Sequence, residues 1–135
     1  MTTDMTITTP IQMRFFDMDS FGHVSNGAQQ MYFDRGKTDL FRELWNRTEI
    51  LAQVPAVTVS VNTDFFSQIR FGDEICVVTE VEKIGHKSFT LLQRIMRSGQ
   101  ECSRSRTVMV VFDKEHQQSV EVPEAGRRIL CPTEK

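Results

Sequence analysis

Residues 16 to 27, FDMDSFGHVSNG, bring two carboxylates, an imidazole and an amide together in Asp17, Asp19, His23 and Asn26. A carboxylate can activate water as a general base or attack a carbonyl carbon directly. The same residue types are common in turns and helix caps, where their oxygens accept backbone hydrogen bonds. The segment is therefore an active-site loop or a strand-to-helix turn, and spacing alone favours the turn.

We expect different roles for the three ionisable side chains of this segment. Asp19 is the candidate base or nucleophile, and its alternative is an Asx-turn at a strand end. Asp17 is expected to be a solvated or turn-forming carboxylate. His23 either contacts the reacting group and orients Asp19 or bonds a loop carbonyl, and these interpretations stay open. Backbone N–H groups at the start of a following helix could stabilise an oxyanion, because they carry the positive end of the helix dipole.

A long amphipathic helix is predicted from about Gly27 to Trp45. Asn26 suits its N-cap, with Gln29 as the capping-box partner three residues on. Gly36 falls on the buried face, where a missing side chain favours close packing against another surface. One face repeats apolar or small residues every four positions, namely Ala28, Tyr32, Gly36, Leu40 and Leu44.

Strand-like alternation lies on both sides of this helix. One strand is predicted at residues 11–17, after a disordered start at residues 1–10. Four more strands are predicted after the helix, at residues 56–65, 75–84, 88–97 and 103–112. The valines at alternate positions in the first of these four are expected on one face. Residues 120–135 are expected to be a C-terminal tail with a short helix starting at Pro123.

One helix and about five strands predict an α+β fold, an antiparallel sheet curled around the helix. Residues 107–112 are apolar or Thr on both faces, so that strand needs cover on both sides. The helix covers one side, and a second subunit is the economical source of the other cover. The whole chain, residues 1–135, is predicted to be a single domain.

Composition excludes several classes of function. The net charge of -2, with 39% hydrophobic and 25% charged residues, gives no reason to expect nucleic acid or an anionic membrane. Cys76, Cys102 and Cys131 show neither a metal-binding spacing nor a disulfide framework, so structural thiols and a cytoplasmic location are predicted. No apolar leader and no apolar run of about 18 residues are present, so we expect a soluble protein without a secretion signal.

The sequence resembles the hotdog-fold acyl-CoA thioesterases of the 4-hydroxybenzoyl-CoA and YbgC-like group. The resemblance rests first on the string D-x-x-G-H-V-x-N, Asp19 to Asn26, which follows a predicted strand. It also rests on Arg14-Phe15-Phe16 before that string, on Tyr32-Phe33-Asp34 in the helix, and on RFGDEI at residues 70–75. It extends from about residue 11 to residue 113. Gln29 and Gln30 are more polar than is usual in the family, which would alter the specificity of a pocket.

The resemblance implies a specific site. Asp19 would be the catalytic carboxylate, as a general base toward water or as a nucleophile, with His23 beside it. Gly22, Val24, Asn26 and Thr58 would contact the substrate, Thr58 in the active site of a neighbouring subunit. Family members are typically homodimers or homotetramers whose active site lies at a subunit interface. Coenzyme A lies in a surface groove as part of the substrate, and no metal or redox cofactor is needed.

Three functions therefore follow, with hydrolysis of an acyl-CoA or another acyl thioester first. The second is a hotdog enoyl-thioester hydratase or dehydratase, in which His23 would pair with Asp34 on the helix. That assignment leaves Asp19 without a role. The third is a non-catalytic module that binds acyl thioesters.

Overall fold

A computed structural model describes residues 6–47, 56–113, 115–124 and 127. The elements are β1 (Thr6–Ile11), a 3-10 turn (Phe15–Asp17), α1 (Asn26–Arg47), β2 (Ala56–Phe65), β3 (Ile75–Ile84), β4 (Ser88–Arg97), β5 (Gln100–Asp113) and β6 (Gln118–Ser119). The sheet is antiparallel in the order β1-β3-β4-β5-β2, and β6 pairs with β5. This confirms the predicted α+β fold of one long helix against an antiparallel sheet. Within the described ranges, no helix is both long and apolar enough to cross a membrane.

The first strand lies earlier than the alternation predicts. β1 covers Thr6–Ile11 and pairs with β3, so residues 6–10 are a strand and the expectation of disorder there is wrong. Pro10 is tolerated because β1 is an edge strand. The predicted strand at residues 11–17 is replaced by the 3-10 turn, whose Phe15 and Phe16 rings are exposed. The last residue of that turn, Asp17, accepts a hydrogen bond from the Arg14 amide, which closes the turn.

Strand β2 contains a shift in register that its alternating sequence does not reveal. Its register against β5 shifts after Thr58, so that Val57 lies opposite Val110 whereas Val61 lies opposite Thr107. Directly opposed residues of an antiparallel pair point to the same side. Thr107 is buried on the helix side, while Val110 is half-buried on the other face. The prediction that the alternate valines of β2 share one face is therefore wrong.

Two apolar clusters fill the space between α1 and the sheet. The cluster under the second half of the helix contains Leu40, Leu44 and Phe89, and the cluster under the first half contains Tyr32 and Ile95. The predicted apolar face supplies Ala28 and Tyr32 to the cluster under the first half and Leu40 and Leu44 to the cluster under the second half, and its fifth member, Gly36, has no side chain to contribute. The helix thus buries the stripe that the period of about four residues predicts.

The predicted tail is partly integrated into the core. Val122 belongs to the cluster under the second half of α1, and its amide donates to the carbonyl of His86. The Arg127 amide donates to the Pro123 carbonyl, which is the spacing of a helical turn and agrees with a helix starting there. The rest of the expected tail, with Cys131, lies outside the described residues.

Gly36 packs against the sheet as predicted. A Cβ atom at Gly36 would lie 2.7 Å from Val77 Cγ1 and 2.8 Å from Thr79 Oγ1. Beside it, the fully buried Gln93 donates through Nε2 to the carbonyl of Phe33 at 2.8 Å and to Thr79 Oγ1 at 2.9 Å. The helix backbone is therefore tied directly to the sheet at this point, which fixes the start of α1 over the end of the sheet where the candidate site lies.

Candidate active site

Asp19 opens a tight turn that fixes one of its two carboxylate oxygens. The Gly22 amide donates to the Asp19 carbonyl at 3.1 Å, and the Asp19 amide donates to the His23 carbonyl at 2.7 Å. Oδ1 accepts the amide N–H groups of Phe21 at 2.9 Å and His23 at 3.0 Å. Oδ2 has no partner in the part of the chain that the structure describes, and the residue is exposed. The expected Asx-turn is present, yet one oxygen remains free for chemistry.

The turn is anchored to the fold at its two ends. Met18 and Val24 form an isolated antiparallel bridge, and the Val24 amide donates to the Ile69 carbonyl at 2.7 Å. His23 forms a second bridge with Arg70. Val24 is 4% exposed and belongs to the cluster under the first half of α1. The candidate carboxylate therefore stands on a loop whose position the core determines.

Ser25, not Asn26, is the N-cap of α1. The Ser25 hydroxyl accepts the Ala28 amide N–H at 3.1 Å, and the Ser25 carbonyl accepts the Gln29 amide N–H at 3.0 Å. Because Ser25 occupies the cap, Asn26 becomes the first helical residue and the predicted cap is wrong. The amide N–H groups of Asn26 and Gly27 have no acceptor among the residues described. They are two donors at the positive end of the helix dipole.

A cavity of about 280 Å³ lies between this loop, the start of α1 and the end of β2. It brings together four of the six predicted site residues: Asp19, His23, Val24 and Asn26. Its wall is completed by Gln29, Phe65, Phe66, Ser67 and Gln68. A free carboxylate oxygen and a helix N-terminus thus face one space.

His23 contributes through its backbone. Its amide N–H holds Asp19 Oδ1, and its carbonyl accepts the Asp19 amide. The half-buried imidazole lines the cavity and has no hydrogen-bond partner within the described ranges. The side chain therefore orients neither Asp19 nor a loop carbonyl, and is free to meet a ligand.

The other two predicted residues lie outside this cavity. Gly22 has a φ of +79°, so the turn conformation favours glycine, and its expected contact with the substrate stays a prediction. Thr58 is exposed on β2 opposite Met109. Its expected contact is with the site of a neighbouring subunit, and that contact stays a prediction.

Asp17 is buried and closes the 3-10 turn, so the expectation of a turn-forming carboxylate is confirmed and that of a solvated one is wrong. It is 4% exposed and accepts hydrogen bonds from the Arg14 amide at 3.0 Å, the Arg14 guanidinium at 3.0 Å and the Tyr32 hydroxyl at 2.7 Å. Burial raises the pKa of Asp17, but these donors outweigh burial and hold the pKa below its usual value. Burial and the Asp17 carboxylate raise the pKa of Tyr32. Asp17 supports the loop, since its carbonyl also accepts the Ser25 amide at 2.9 Å.

Sequence reasoning assigned Gln29 to the helix cap and missed its place in the cavity wall. Its side chain is 3% exposed, and Oε1 is buried without a hydrogen-bond partner. The signal available in the sequence was its position, three residues before Tyr32 and seven before Gly36, on the apolar stripe of the predicted helix.

The arginines of the sheet are paired. On β4 and β5, Arg94 Nη1 lies 2.9 Å from Glu80 Oε1, and Arg106 Nε lies 3.0 Å from Glu82 Oε1. The guanidinium of Arg70, next to the bridge with His23, makes no hydrogen bond or ion pair in the described part of the chain. The Arg70 amide donates to Asp73, and this hydrogen bond and the Arg70 charge both lower the pKa of Asp73.

Among the residues that the structure describes, one group of side chains has the atoms to hold a metal ion. Asp113, Glu115 and His116 bring their ligand atoms within 4.8 Å of one another in an exposed turn. The Asp113 carboxylate already accepts hydrogen bonds from the amide N–H groups of Glu115 and His116 and lies 2.6 Å from His116 Nδ1. The His116 side chain lowers the pKa of Asp113. These contacts account for the group as a turn, and none of its members lines the Asp19 cavity.

Residues 13–130 match the family model of the thioesterase-like superfamily, and the chain belongs to that superfamily. It is 26% identical over 125 residues to an uncharacterised protein, YsmA, from Bacillus subtilis strain 168, covering 91% of this chain and 84% of that protein.

Two solved structures share the fold. A predicted thioesterase from Bacillus stearothermophilus is 26% identical with a TM-score of 0.82, and 93% of each chain is covered. A mutant 4-hydroxybenzoyl-CoA thioesterase in complex with 4-hydroxybenzoyl-CoA is 21% identical with a TM-score of 0.80, covering 93% of this chain and 99% of that one. The fold is thus the hotdog fold that the resemblance implies.

Proposed function

We propose that this protein hydrolyses acyl-CoA thioesters to the free acid and coenzyme A through Asp19. The observation that carries the proposal is the free Oδ2 of Asp19, held at a cavity mouth by the two amides that bind Oδ1. Family membership supports a thioester hydrolase in general. The structural neighbour bound to 4-hydroxybenzoyl-CoA supports a coenzyme A thioester as the ligand.

The proposed reaction needs one proton acceptor or one nucleophile. As a general base, Asp19 Oδ2 takes a proton from water while the water oxygen attacks the thioester carbonyl carbon. As a nucleophile, Oδ2 attacks that carbon itself, and water then hydrolyses the mixed anhydride. In both routes the C–S bond breaks and the sulfur leaves as the coenzyme A thiolate, which takes up a proton.

The negative charge that develops on the carbonyl oxygen needs donors. The free amide N–H groups of Asn26 and Gly27 at the start of α1 suit this role, because a helix N-terminus favours negative charge. The half-buried imidazole of His23 is a further donor or acceptor at the same cavity. No metal or redox cofactor is required by this scheme.

A second copy of the chain is proposed to complete the site. The cavity is bounded on one side by Phe65 and Phe66 at the end of β2, which are 40% and 55% exposed. β2 is the sheet edge opposite β1, so its outer backbone groups have no neighbouring strand within the described sheet. Val59 and Val61 on this edge are also exposed, at 59% and 47%. A homodimer or homotetramer would cover these side chains.

A cytoplasmic location is part of the proposal. It is supported by Cys76 and Cys102, which are both free thiols. Burial raises the pKa of the Cys102 thiol, which agrees with a structural role.

The hydratase alternative finds less support in the geometry. Its helix carboxylate would be Asp34, whose side chain is 73% exposed and lies 3.3 Å from Lys37 Nζ. Asp34 does not line the cavity that His23 shares with Asp19. Hydration of an enoyl-CoA without any thiol release would restore this alternative.

The proposal is tested by thiol release from short, medium, long and aromatic acyl-CoAs. We expect Asp19→Asn to lower kcat by about 100-fold or more, the usual range for losing a general base. Asparagine retains an Oδ1 that can accept the Phe21 and His23 amides, so the turn should persist. Asp34→Asn is the matched control, because it makes the same change at an exposed carboxylate on α1 outside the cavity, and it should retain wild-type kcat.

Two results would contradict the proposal. Full activity of Asp19→Asn would exclude Asp19 as base or nucleophile. Background thiol release by the wild type on every substrate, combined with binding of acyl-CoA, would instead indicate a non-catalytic binding module.

A further inference from the structure

The inner end of the Asp19 cavity is unusually polar for the interior of a helix-on-sheet fold. Gln29 is 3% exposed, and its Oε1 has no hydrogen-bond partner. Ser103 on β5 is fully buried, and its Oγ also has no partner. Buried polar atoms are normally paired, so two unpaired ones at one end of the fold require an explanation.

The sheet register places Ser103 beside the cavity. Thr63 and Ser105 are opposed residues of β2 and β5, and their hydroxyls lie 2.9 Å apart on the helix side, where Gln30 Nε2 donates to Thr63 Oγ1. The next pair on the same face is Phe65 with Ser103. Phe65 lines the cavity together with Gln29.

The neighbouring polar side chains on this face are hydrogen-bonded to one another. Gln30, Thr63 and Ser105 form a chain of two hydrogen bonds. Gln29 and Ser103 lack such partners, as do Gln93 Oε1 and Asp39 Oδ1 elsewhere in the fold. Among these four residues, Gln29 alone lines the cavity, so its Oε1 is the atom whose missing partner a molecule in the cavity can supply.

We propose that Gln29 selects an acyl group that carries a hydroxyl. This inference rests on the proposed thioesterase function and adds the substrate class. A hydroxyl can donate to the amide oxygen of Gln29, whereas an alkyl group leaves that oxygen unpaired.

The test compares matched acyl-CoA pairs that differ by one hydroxyl: 3-hydroxybutyryl with butyryl, and 4-hydroxybenzoyl with benzoyl. We expect wild type to prefer the hydroxylated member of at least one pair in kcat/KM by about tenfold, the effect of one buried hydrogen bond. Gln29→Leu and Gln29→Met should each reduce that ratio, mainly through slower turnover of the hydroxylated substrate.

Gln30→Leu is the matched control, because it makes the same chemical change one residue away in a group that is already paired. It should lower stability without changing the hydroxyl preference. A wild-type ratio near one for both pairs, or a ratio that Gln29→Leu and Gln29→Met leave unchanged, would overturn the proposal.

Failure of hydrolysis itself is distinguished by a binding measurement. Dissociation constants of non-hydrolysable thioether analogues of the same four acyl-CoAs, obtained by calorimetry, report the hydroxyl preference without turnover. Suppose that the wild type binds the hydroxylated analogue about tenfold more tightly and yet releases no thiol from any substrate. That result would refute the proposed thioesterase activity and support the proposed hydroxyl selectivity. Equal dissociation constants within both pairs would refute the selectivity as well.

Discussion

At the scale of single residues, two aspartates two positions apart have opposite environments. Asp19 is exposed with one free oxygen, whereas Asp17 is buried among donors from Arg14 and Tyr32. The motif identified Asp19, because the residues around it are adjacent in sequence. The role of Asp17 depends on Tyr32, which is fifteen residues further along the chain, and local turn chemistry carries no signal for that contact.

Replacing Asp17 by asparagine is expected to lower the free energy of unfolding by about 2 kcal/mol at pH 7, because hydrogen bonds to a buried charge are lost. The folded-state pKa of Asp17 is lowered, so the native state binds fewer protons than the unfolded state. Its stabilisation is therefore complete above the ordinary aspartate pKa of about 3.9 and is lost as pH falls below it.

Urea unfolding at pH 7 and pH 3 measures this effect. The difference between wild type and Asp17→Asn should narrow at pH 3, and Asp34→Asn should stay within about 0.5 kcal/mol of wild type at pH 7. A constant difference at both pH values would show that the charge of Asp17 contributes nothing.

At the scale of elements, the helix was predicted well and the first strand poorly. The period of the apolar stripe reports helix packing directly, and Gly36 lies against β3 as expected. Phe15 and Phe16 look like strand residues by composition, but both are exposed in the 3-10 turn. The bulge in β2 is a shift in its pairing with β5, so the alternation of residues along β2 alone does not reveal it.

Gly36→Ala tests the contact between α1 and the sheet. Alanine favours the helix by about 1 kcal/mol, but its Cβ would collide with the Val77 and Thr79 side chains. We expect a net loss of roughly 1–3 kcal/mol in the free energy of unfolding, typical of overpacking. Chemical denaturation measures it.

The matched control is Gly27→Ala in the first turn of the same helix, where an added Cβ meets nothing within 4 Å. This variant should be as stable as wild type or gain up to about 1 kcal/mol. If Gly36→Ala were stabilised equally, the close packing of α1 on β3 would be incorrect.

At the scale of the whole molecule, fold class and sheet content were predictable, but strand order was not derivable from periodicity. β1 pairs with β3, across the intervening helix and β2, and such long-range pairing leaves no local pattern. The predicted order of elements, together with the loop motif at Asp19 to Asn26, nevertheless indicated the hotdog fold. The missing hydrogen bonds of Gln29 and Ser103 could not be predicted, because they depend on which side chains surround these residues in the folded interior.

The proposed oligomer is tested at the β2 edge. Val59→Lys places a charge among exposed apolar side chains and should shift the molar mass from a dimer or tetramer to a monomer in analytical ultracentrifugation. Thiol release should fall in parallel if the partner completes the site. Thr8→Lys on β1, the opposite sheet edge, is the control and should retain the wild-type mass. A monomeric wild type, or an unchanged mass for Val59→Lys, would contradict this arrangement.

The buried carboxylate of Asp17 has a consequence for interpreting kinetics in acid. It joins the segment before Asp19 to α1, so its protonation would loosen the loop without any change at the reacting atoms. An acid limb in a rate profile could then contain two events, one chemical and one conformational. Because the pKa of Asp17 is lowered, the conformational event falls below the ordinary aspartate pKa of about 3.9. If the acid limb of the rate profile is the same in Asp17→Asn as in the wild type, it reflects the chemical step alone.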